Sequence, residues 1–520
     1  MAKAGFPKGV KRGGSVLALL ALTVLTASCG TRVDRAAATA TAIPAGSGSV
    51  GASVGYPLPS DRGATVGATP AALPSTPASS GSAAAVTPVA GSAAANPSRA
   101  ASPSRPTASG QTSTAGAPAA ASKDAAHGTP VAGGVGDQAA PGIGQPTDDG
   151  KKSPVVVATM CNCSGPASSA AFPIVQGGQL WVKAINARGG LNGHPVRQIL
   201  YDDGGDPARN RAQVQDAVER QHAIAFFVEA APLSAKGTIP YLESKGIPVV
   251  GTSLSDAWDY ESPMYFPQAS ADRPMIYGSV AGAAQQLVPA GKTKLAVAYC
   301  AEAEQCAWLE KAAAEYAPKL GFQVVYDSPV SFAQPDYTAS CLAARNAGAQ
   351  VVAVFADTNS VSRYATSCAR QGFRPAFFVA APTLADRFKD DPNIDSFASG
   401  VNVFPFFQSG TPATDEYREA LRLQGGGKIP AGVGTATGWV AGKLLEKAGA
   451  GMPEPPTTAA ILKGLWSLQN DDLGGITHAL TFAQGKTAPR VACWFNVATK
   501  GGAWISPDGF QRHCAAGLVN

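Results

Sequence analysis

Val196-Arg197-Gln198-Ile199-Leu200-Tyr201-Asp202-Asp203-Gly204-Gly205-Asp206-Pro207-Ala208 holds a strand, a turn and a helix start within thirteen residues. Val196–Tyr201 reads as a strand. Asp206 followed by Pro207 is the pattern of a helix N-cap with proline at the first helical position, and the helix is expected over Pro207–Gln221. Upstream, Val155–Thr159 is a short apolar run of the kind shown by a parallel strand buried on both faces. A helical stretch from about Ala170 to Ala187 follows it and stops at Gly189-Gly190. Downstream, the alternation continues with strand Ala223–Val228, helix Thr238–Lys245 and strand Ile247–Val250. It restarts with strand Lys294–Tyr299, helix Cys306–Leu320 and strand Gln323–Tyr326, then helix Tyr337–Ala347, strand Val351–Ala356 and helix Ser360–Gln371. Such alternation predicts parallel sheets covered on both faces. Two runs, broken around Phe266–Pro274, predict an α/β fold of two doubly wound parallel-sheet lobes. Ligands of open parallel sheets sit outside the carboxyl ends of the strands, so the expected site is the cleft between the lobes.

The N-terminus sets the compartment. Lys3, Lys8, Lys11 and Arg12 precede an apolar run from Ser15 to Ala27 that ends at Ser28-Cys29-Gly30, the layout of a secretory signal. The run is shorter than the roughly 20 residues a spanning helix needs. Leu25-Thr26-Ala27-Ser28-Cys29 resembles the bacterial lipobox, with Thr26 where an aliphatic residue is more usual. The resemblance implies that Cys29 becomes the lipidated first residue of the mature chain. Positions 1–29 are thus expected to be a signal, 30–150 a tether and 151–520 the folded part. In the tether Ala, Pro, Ser, Thr and Gly dominate, and Tyr56 is the only aromatic residue. Such a composition buries too little apolar surface to offset its ordering entropy, and disorder is expected, with a mean span of roughly 60 Å. Its Ser, Thr and Pro content also fits a sugar-decorated stalk.

The chain carries 41 basic and 36 acidic residues. Setting aside the signal and the tether leaves 31 against 30, so the folded part is nearly neutral. No basic stripe points to nucleic acid or an anionic membrane surface. The 370 remaining residues suit two domains. They hold eight cysteines, which an exported chain is expected to pair. Spacing suggests Cys300–Cys306, Cys341–Cys368 and Cys493–Cys514, leaving Cys161 and Cys163 together, one choice among the 105 that eight cysteines allow. A metal or redox role for Cys161-Asn162-Cys163 is the competing reading.

Several motifs carry a family resemblance. They are Ser164-Gly165-Pro166, the stretch from Ala184 through Gly189-Gly190-Leu191-Asn192-Gly193-His194-Pro195 to Val196, Tyr201 to Ala208, and Gly246-Ile247-Pro248-Val249-Val250. In this order they resemble the extracellular binding proteins of branched-chain amino acid ABC transporters, with their type I periplasmic-binding fold, over about residues 154–520. The resemblance implies three crossings between the lobes, near Phe266–Pro274, Gly400–Pro405 and Gly475–Ala483. Lobe one then combines about 154–268 with 406–475, and lobe two about 272–400 with 480–520.

It also implies a site. Ser164 stands at a strand's carboxyl end. Ala230, Ala231, Ser234, Ser253 and Ser255 match the first-lobe positions whose hydroxyls and backbone N–H groups grip the ligand carboxylate. The second lobe of such proteins supplies an acid for the ligand ammonium, but Phe377-Phe378-Val379-Ala380-Ala381-Pro382-Thr383 has no carboxylate. A desolvated ammonium without a counter-charge is costly, which speaks against an α-amino acid. Asp357 is placed either to take that role or to cap the following helix. Trp258, Tyr260, Phe332 and Tyr337 are placed either to stack on a solute or to pack.

Catalytic and cofactor signals fail. Ala290-Gly291-Lys292-Thr293 lacks the first glycine of a phosphate loop, no histidine pair has zinc-ligand spacing, and no G-x-S-x-G elbow occurs. The chain is therefore expected to use no cofactor or metal and not to be an enzyme. The expected function is that of a monomeric lipoprotein on the outer face of the bacterial cytoplasmic membrane. It would capture an amino acid or a related small polar or aromatic solute and deliver it to ABC permease subunits. The alternative is a sensing receptor of the same fold.

Overall fold

The computed structural model describes residues 152–303 and 305–515. Cys29, the signal and the tether lie outside the described residues, as do 516–520.

The first half follows the expected rhythm: β1 (Val155–Cys161), α1 (Ser168–Ala187), β2 (Val196–Asp202), α2 (Pro207–Glu219), β3 (Ala225–Glu229), α3 (Ile239–Lys245), β4 (Val249–Thr252) and β5 (Tyr265–Phe266). These strands form a parallel sheet in the order β2-β1-β3-β4-β5. The opening motif behaves as its residues require. The Asp206 side chain accepts from the Ala208 N–H at 2.8 Å and the Arg209 N–H at 3.1 Å, with Pro207 at N1.

The second run is α4 (Asp272–Leu287), β6 (Lys294–Cys300), α5 (Cys306–Lys319), β7 (Gln323–Val330), α6 (Thr338–Asn346), β8 (Val351–Phe355), α7 (Thr358–Arg370), β9 (Ala376–Val379) and β10 (Ser396–Val401). Helices α8 (Pro412–Gln424), α9 (Val433–Ala448) and α10 (Thr458–Trp466) then return to the first sheet's side. Finally β11 (Cys493–Lys500), β12 (Ala503–Ile505) and β13 (Arg512–Cys514) complete the second sheet, ordered β12-β11-β10-β9-β8-β6-β7, with β13 also paired to β11. These last three strands run antiparallel and correct the all-parallel expectation for this lobe. The turn Lys500-Gly501-Gly502-Ala503 explains the β11–β12 pair: both glycines have positive φ, 58° and 74°, as a two-residue hairpin turn demands.

The four disulfides are Cys161–Cys163, Cys300–Cys306, Cys341–Cys368 and Cys493–Cys514, the pairing that the spacing suggested. Cys341–Cys368 clips α6 to α7, and Cys493–Cys514 fastens β13 to β11. The paired state of Cys161 and Cys163 replaces the metal reading of that motif.

The two lobes meet along three chain segments held side by side. Asn402 Nδ2 donates to the Ser270 carbonyl at 2.7 Å, and Thr477 Oγ1 donates to the Gln268 carbonyl at 2.8 Å. The Phe404 N–H donates to the Ile476 carbonyl at 2.9 Å. Gln268, Ser270, Asn402 and Thr477 are all buried, so these bonds stand in for water that cannot reach them.

Helices α1 and α9 pack against each other and both against the first sheet, which is why apolar residues surround α1; Leu180, Trp181 and Val182 are all inaccessible. The α1–α9 crossing depends on glycine. A Cβ at Gly438 would run into the Ile174 carbonyl oxygen, and one at Gly177 into the Thr435 carbonyl oxygen. Both obstacles are helical backbone and cannot swing away. Gly438→Ala is therefore expected to lower stability by about 2–3 kcal/mol, read as a lower urea midpoint. Gly451→Ala, where a Cβ meets nothing within 4 Å, serves as the neutral control.

Candidate functional site

Parallel strands of both sheets end toward the gap between the lobes, and their loops form its walls. In the first lobe a buried polar network fixes these loops. Asn162, between the paired Cys161 and Cys163, donates through Nδ2 to Asp203 Oδ1 at 2.5 Å and to Ser234 Oγ at 2.9 Å. Its Oδ1 accepts from the Leu233 N–H at 2.9 Å. Asp203 Oδ2 accepts from Ser234 Oγ at 2.9 Å and from Asn210 Nδ2 at 2.7 Å. Burial pushes the Asp203 carboxyl up from its usual range, opposed by the hydrogen bonds it accepts. This network ties β1, the turn before α2 and the loop after β3 into one unit.

The expected ligand residues fall as follows. Ser164 is exposed, and its N–H donates to Asp202 Oδ1 at 3.1 Å. Ala230 is buried in a bridge to Cys161, its N–H on the Met160 carbonyl at 2.8 Å. The Ala231 N–H donates to Glu229 Oε1 at 2.8 Å. Ser234 belongs to the Asp203 network. Ser253 Oγ donates to Asp256 Oδ2 at 2.9 Å and lies 2.9 Å from Ser255 Oγ, which is half-buried. Ala230, Ala231, Ser234 and Ser253 therefore already have protein partners, which leaves Ser164 and Ser255 as the more accessible of the set.

Asp357 caps α7, accepting from the Ser360 N–H at 3.3 Å and the Asn359 N–H at 3.1 Å. It also accepts from Ser169 Oγ of α1, while the Asn359 N–H reaches Ser169 Oγ at 3.2 Å. Ser169 is thus a contact from the first lobe to the second, which the sequence did not single out. Pro173, four residues on, has no N–H for the Ser169 carbonyl and leaves that oxygen without its helical donor. Among the aromatic residues, Trp258, Tyr260 and Tyr337 are buried. Trp258 Nε1 donates to Glu229 Oε2 at 3.4 Å, and Tyr337 Oη donates to the Ser331 carbonyl at 2.8 Å. Packing accounts for all three; Phe332 is half-buried.

Beneath the loops after β3 and β4, Glu229, Asp256 and Asp259 are buried close together. Burial raises the Glu229 carboxyl to about 7, against the pull of the Ala231 and Trp258 N–H groups. Burial and then the charge of Glu229 raise Asp256, and burial and then Asp256 raise Asp259. Folded Glu229 holds its proton up to about pH 7, whereas the unfolded group releases it near 4.5. The protonated form therefore favours the fold, and stability is expected to fall as pH rises between those values, by on the order of 1 kcal/mol per pH unit from this group. Glu229→Gln keeps an acceptor for the Ala231 N–H and is expected to flatten the decline, measured by urea denaturation at pH 5 and pH 7.5.

A family profile described as periplasmic binding protein matches residues 154–502. No curated protein matches the chain in sequence. Among solved structures, the fold is similar to a substrate-binding periplasmic protein from Ralstonia solanacearum, with 15% identity and a TM-score of 0.58, over 70% of this chain and 100% of that one. It is similar to a fatty acid ABC transporter substrate-binding protein from Thermomonospora curvata, with 15% identity and a TM-score of 0.55, over 72% of this chain and 96% of that one. It is also similar to an ABC transporter solute-binding protein from R. palustris in complex with benzoate, with 16% identity and a TM-score of 0.54, over 70% and 97%. At such identities the likeness speaks for the fold alone. The profile spans both lobes and the loops that face each other between them, and the chain belongs to the periplasmic binding protein family.

Proposed function

We propose that the chain is the solute-capturing component of an ABC importer. It is lipid-anchored through Cys29, tethered by positions 30–150, and takes a small solute with an apolar or aromatic body between its lobes. The observation that carries this reading is the facing pair of sheets, with Ser169 of one lobe in contact with Asp357 and Asn359 of the other. A wall contributed by each lobe lets a solute stabilise their approach, since a ligand favours the arrangement in which it makes more contacts.

The ligand class follows from charge. Residues 377–383 offer no carboxylate to an ammonium, Asp386 and Asp390 beyond them are held by Lys389, and the carboxylate of Asp357 is occupied by α7 and by Ser169. A free α-amino acid is therefore disfavoured. Proteins of similar fold include a fatty acid ABC transporter substrate-binding protein and a solute-binding protein in complex with benzoate, which accords with an apolar body. Native mass spectrometry of the gently purified chain is expected to show a co-purifying solute without an α-amino group. A stoichiometric free α-amino acid overturns this ligand class. Deleting the protein is expected to abolish uptake of the identified solute, and unchanged uptake overturns the transport role.

A further inference from the structure

Between the first turns of α1, the start of α9 and the loop after β9 lies a cavity of about 440 Å³. Sites for small organic ligands measure about 300–1,000 Å³. Both lobes build its apolar wall: Phe172, Pro173 and Ala431 from the first, Pro382 and Leu384 from the second. Phe172 is one of two large apolar side chains left exposed among the described residues, at 41%.

The polar side of the cavity holds Arg387 together with Gln176, Asn359, Thr435 and the acids Asp386 and Asp390. Arg387 Nη2 donates to the Thr358 carbonyl at 3.2 Å and to Asn359 Oδ1 at 2.8 Å. Both acceptors are neutral. They orient the guanidinium without cancelling its charge. Among the described residues no carboxylate lies within ion-pair distance of Arg387. The nearby acids Asp386 and Asp390 also border the cavity; Lys389 pairs with both, at 2.7 Å and 3.0 Å, and offsets one of their two charges, so Arg387 has no direct ion pair but does have a neighbouring negative charge. A held guanidinium with spare N–H groups in the wall of a partly apolar cavity has the chemistry of a carboxylate receptor, because its planar fork matches two carboxylate oxygens.

We propose that this cavity binds a small monocarboxylic acid, with the carboxylate on Arg387 and an aromatic or short aliphatic body against Phe172, Pro382 and Leu384. The proposal rests on the solute-capture reading above and adds the charge of the ligand and the residue that anchors it. The two lobes already meet at this wall, where the Val433 N–H donates to the Leu384 carbonyl at 2.9 Å and the Asp386 N–H to the Ala431 carbonyl at 3.2 Å, so the acid would sit against a preformed contact between them.

Isothermal titration of the full chain with benzoate and hexanoate, and with benzamide and hexanamide as neutral counterparts, tests it. At least one acid is expected to bind, with its amide at least tenfold weaker. Arg387→Ala is expected to weaken the acid about 10- to 100-fold, while Arg374→Ala, which removes an exposed pair with Asp395, leaves it unchanged. Arg387→Lys keeps the charge without the fork and is expected to fall between. It also gives a reading if the alanine variant fails to fold. Equal affinity for acid and amide, or unchanged affinity in both Arg387 variants, overturns the proposal. So does a failure of both acids to bind the natural chain. In each of those cases a co-purifying solute still upholds capture itself, and only its absence as well removes both.

Discussion

Everything functional here hangs on three buried chain segments lying side by side. Gln268, Ser270, Asn402 and Thr477 have no access to water, so each lateral bond among their segments must form inside the protein or leave a desolvated polar group. That requirement fixes how the segments align. It joins the lobes along these segments, and a backbone bridge between Ala385 and Gly432 and the Ser169–Asp357 hydrogen bond add further contacts between them. A single crossing would let the lobes drift, and a broad apolar interface would weld them.

The two sides of that gap use polarity differently. The first lobe spends its hydroxyls, amides and carboxyls on itself: Asn162, Asp203, Ser234 and Asn210 satisfy one another, and Glu229 holds the Ala231 N–H. Such satisfied networks make loops rigid because any rearrangement strands a buried polar atom. The raised carboxyls of Glu229, Asp256 and Asp259 follow from the same burial, which favours neutral over charged forms. The second lobe instead leaves Arg387 without a counter-ion beside an apolar wall.

Much of the fold was legible because it depends on local chemistry. The apolar runs beginning at Val155, Lys294 and Val351 became the strands β1, β6 and β8, and Asp206-Pro207 became a capped helix start. The antiparallel strands β11 to β13 were not recognised, although the paired glycines Gly501-Gly502 carried a hairpin signal. The site was legible only in part. The motif positions Ala230, Ala231, Ser234 and Ser253 do lie in the loops at the strand ends, but which donors remain available depends on partners distant in sequence. Asn162 meets Asp203 across 41 positions and Ser169 meets Asp357 across 188. No spacing rule links such pairs, and Arg387 in its loop had no motif to mark it.

The sequence by itself determined the alternation of strands and helices and the absence of a carboxylate from residues 377–383, and it suggested a cysteine pairing that the structure then selected. Each of these follows from periodicity, spacing or residue identity within a short window. Only the tertiary structure decided which hydroxyls and N–H groups were already taken, that Asp357 serves as a helix cap touching the opposite lobe, and that Arg387 lines the same cavity as Phe172. Those outcomes depend on which groups meet in space and which lose access to water. Both are set by packing between segments far apart in the chain, and so they appear only once the two lobes are in place.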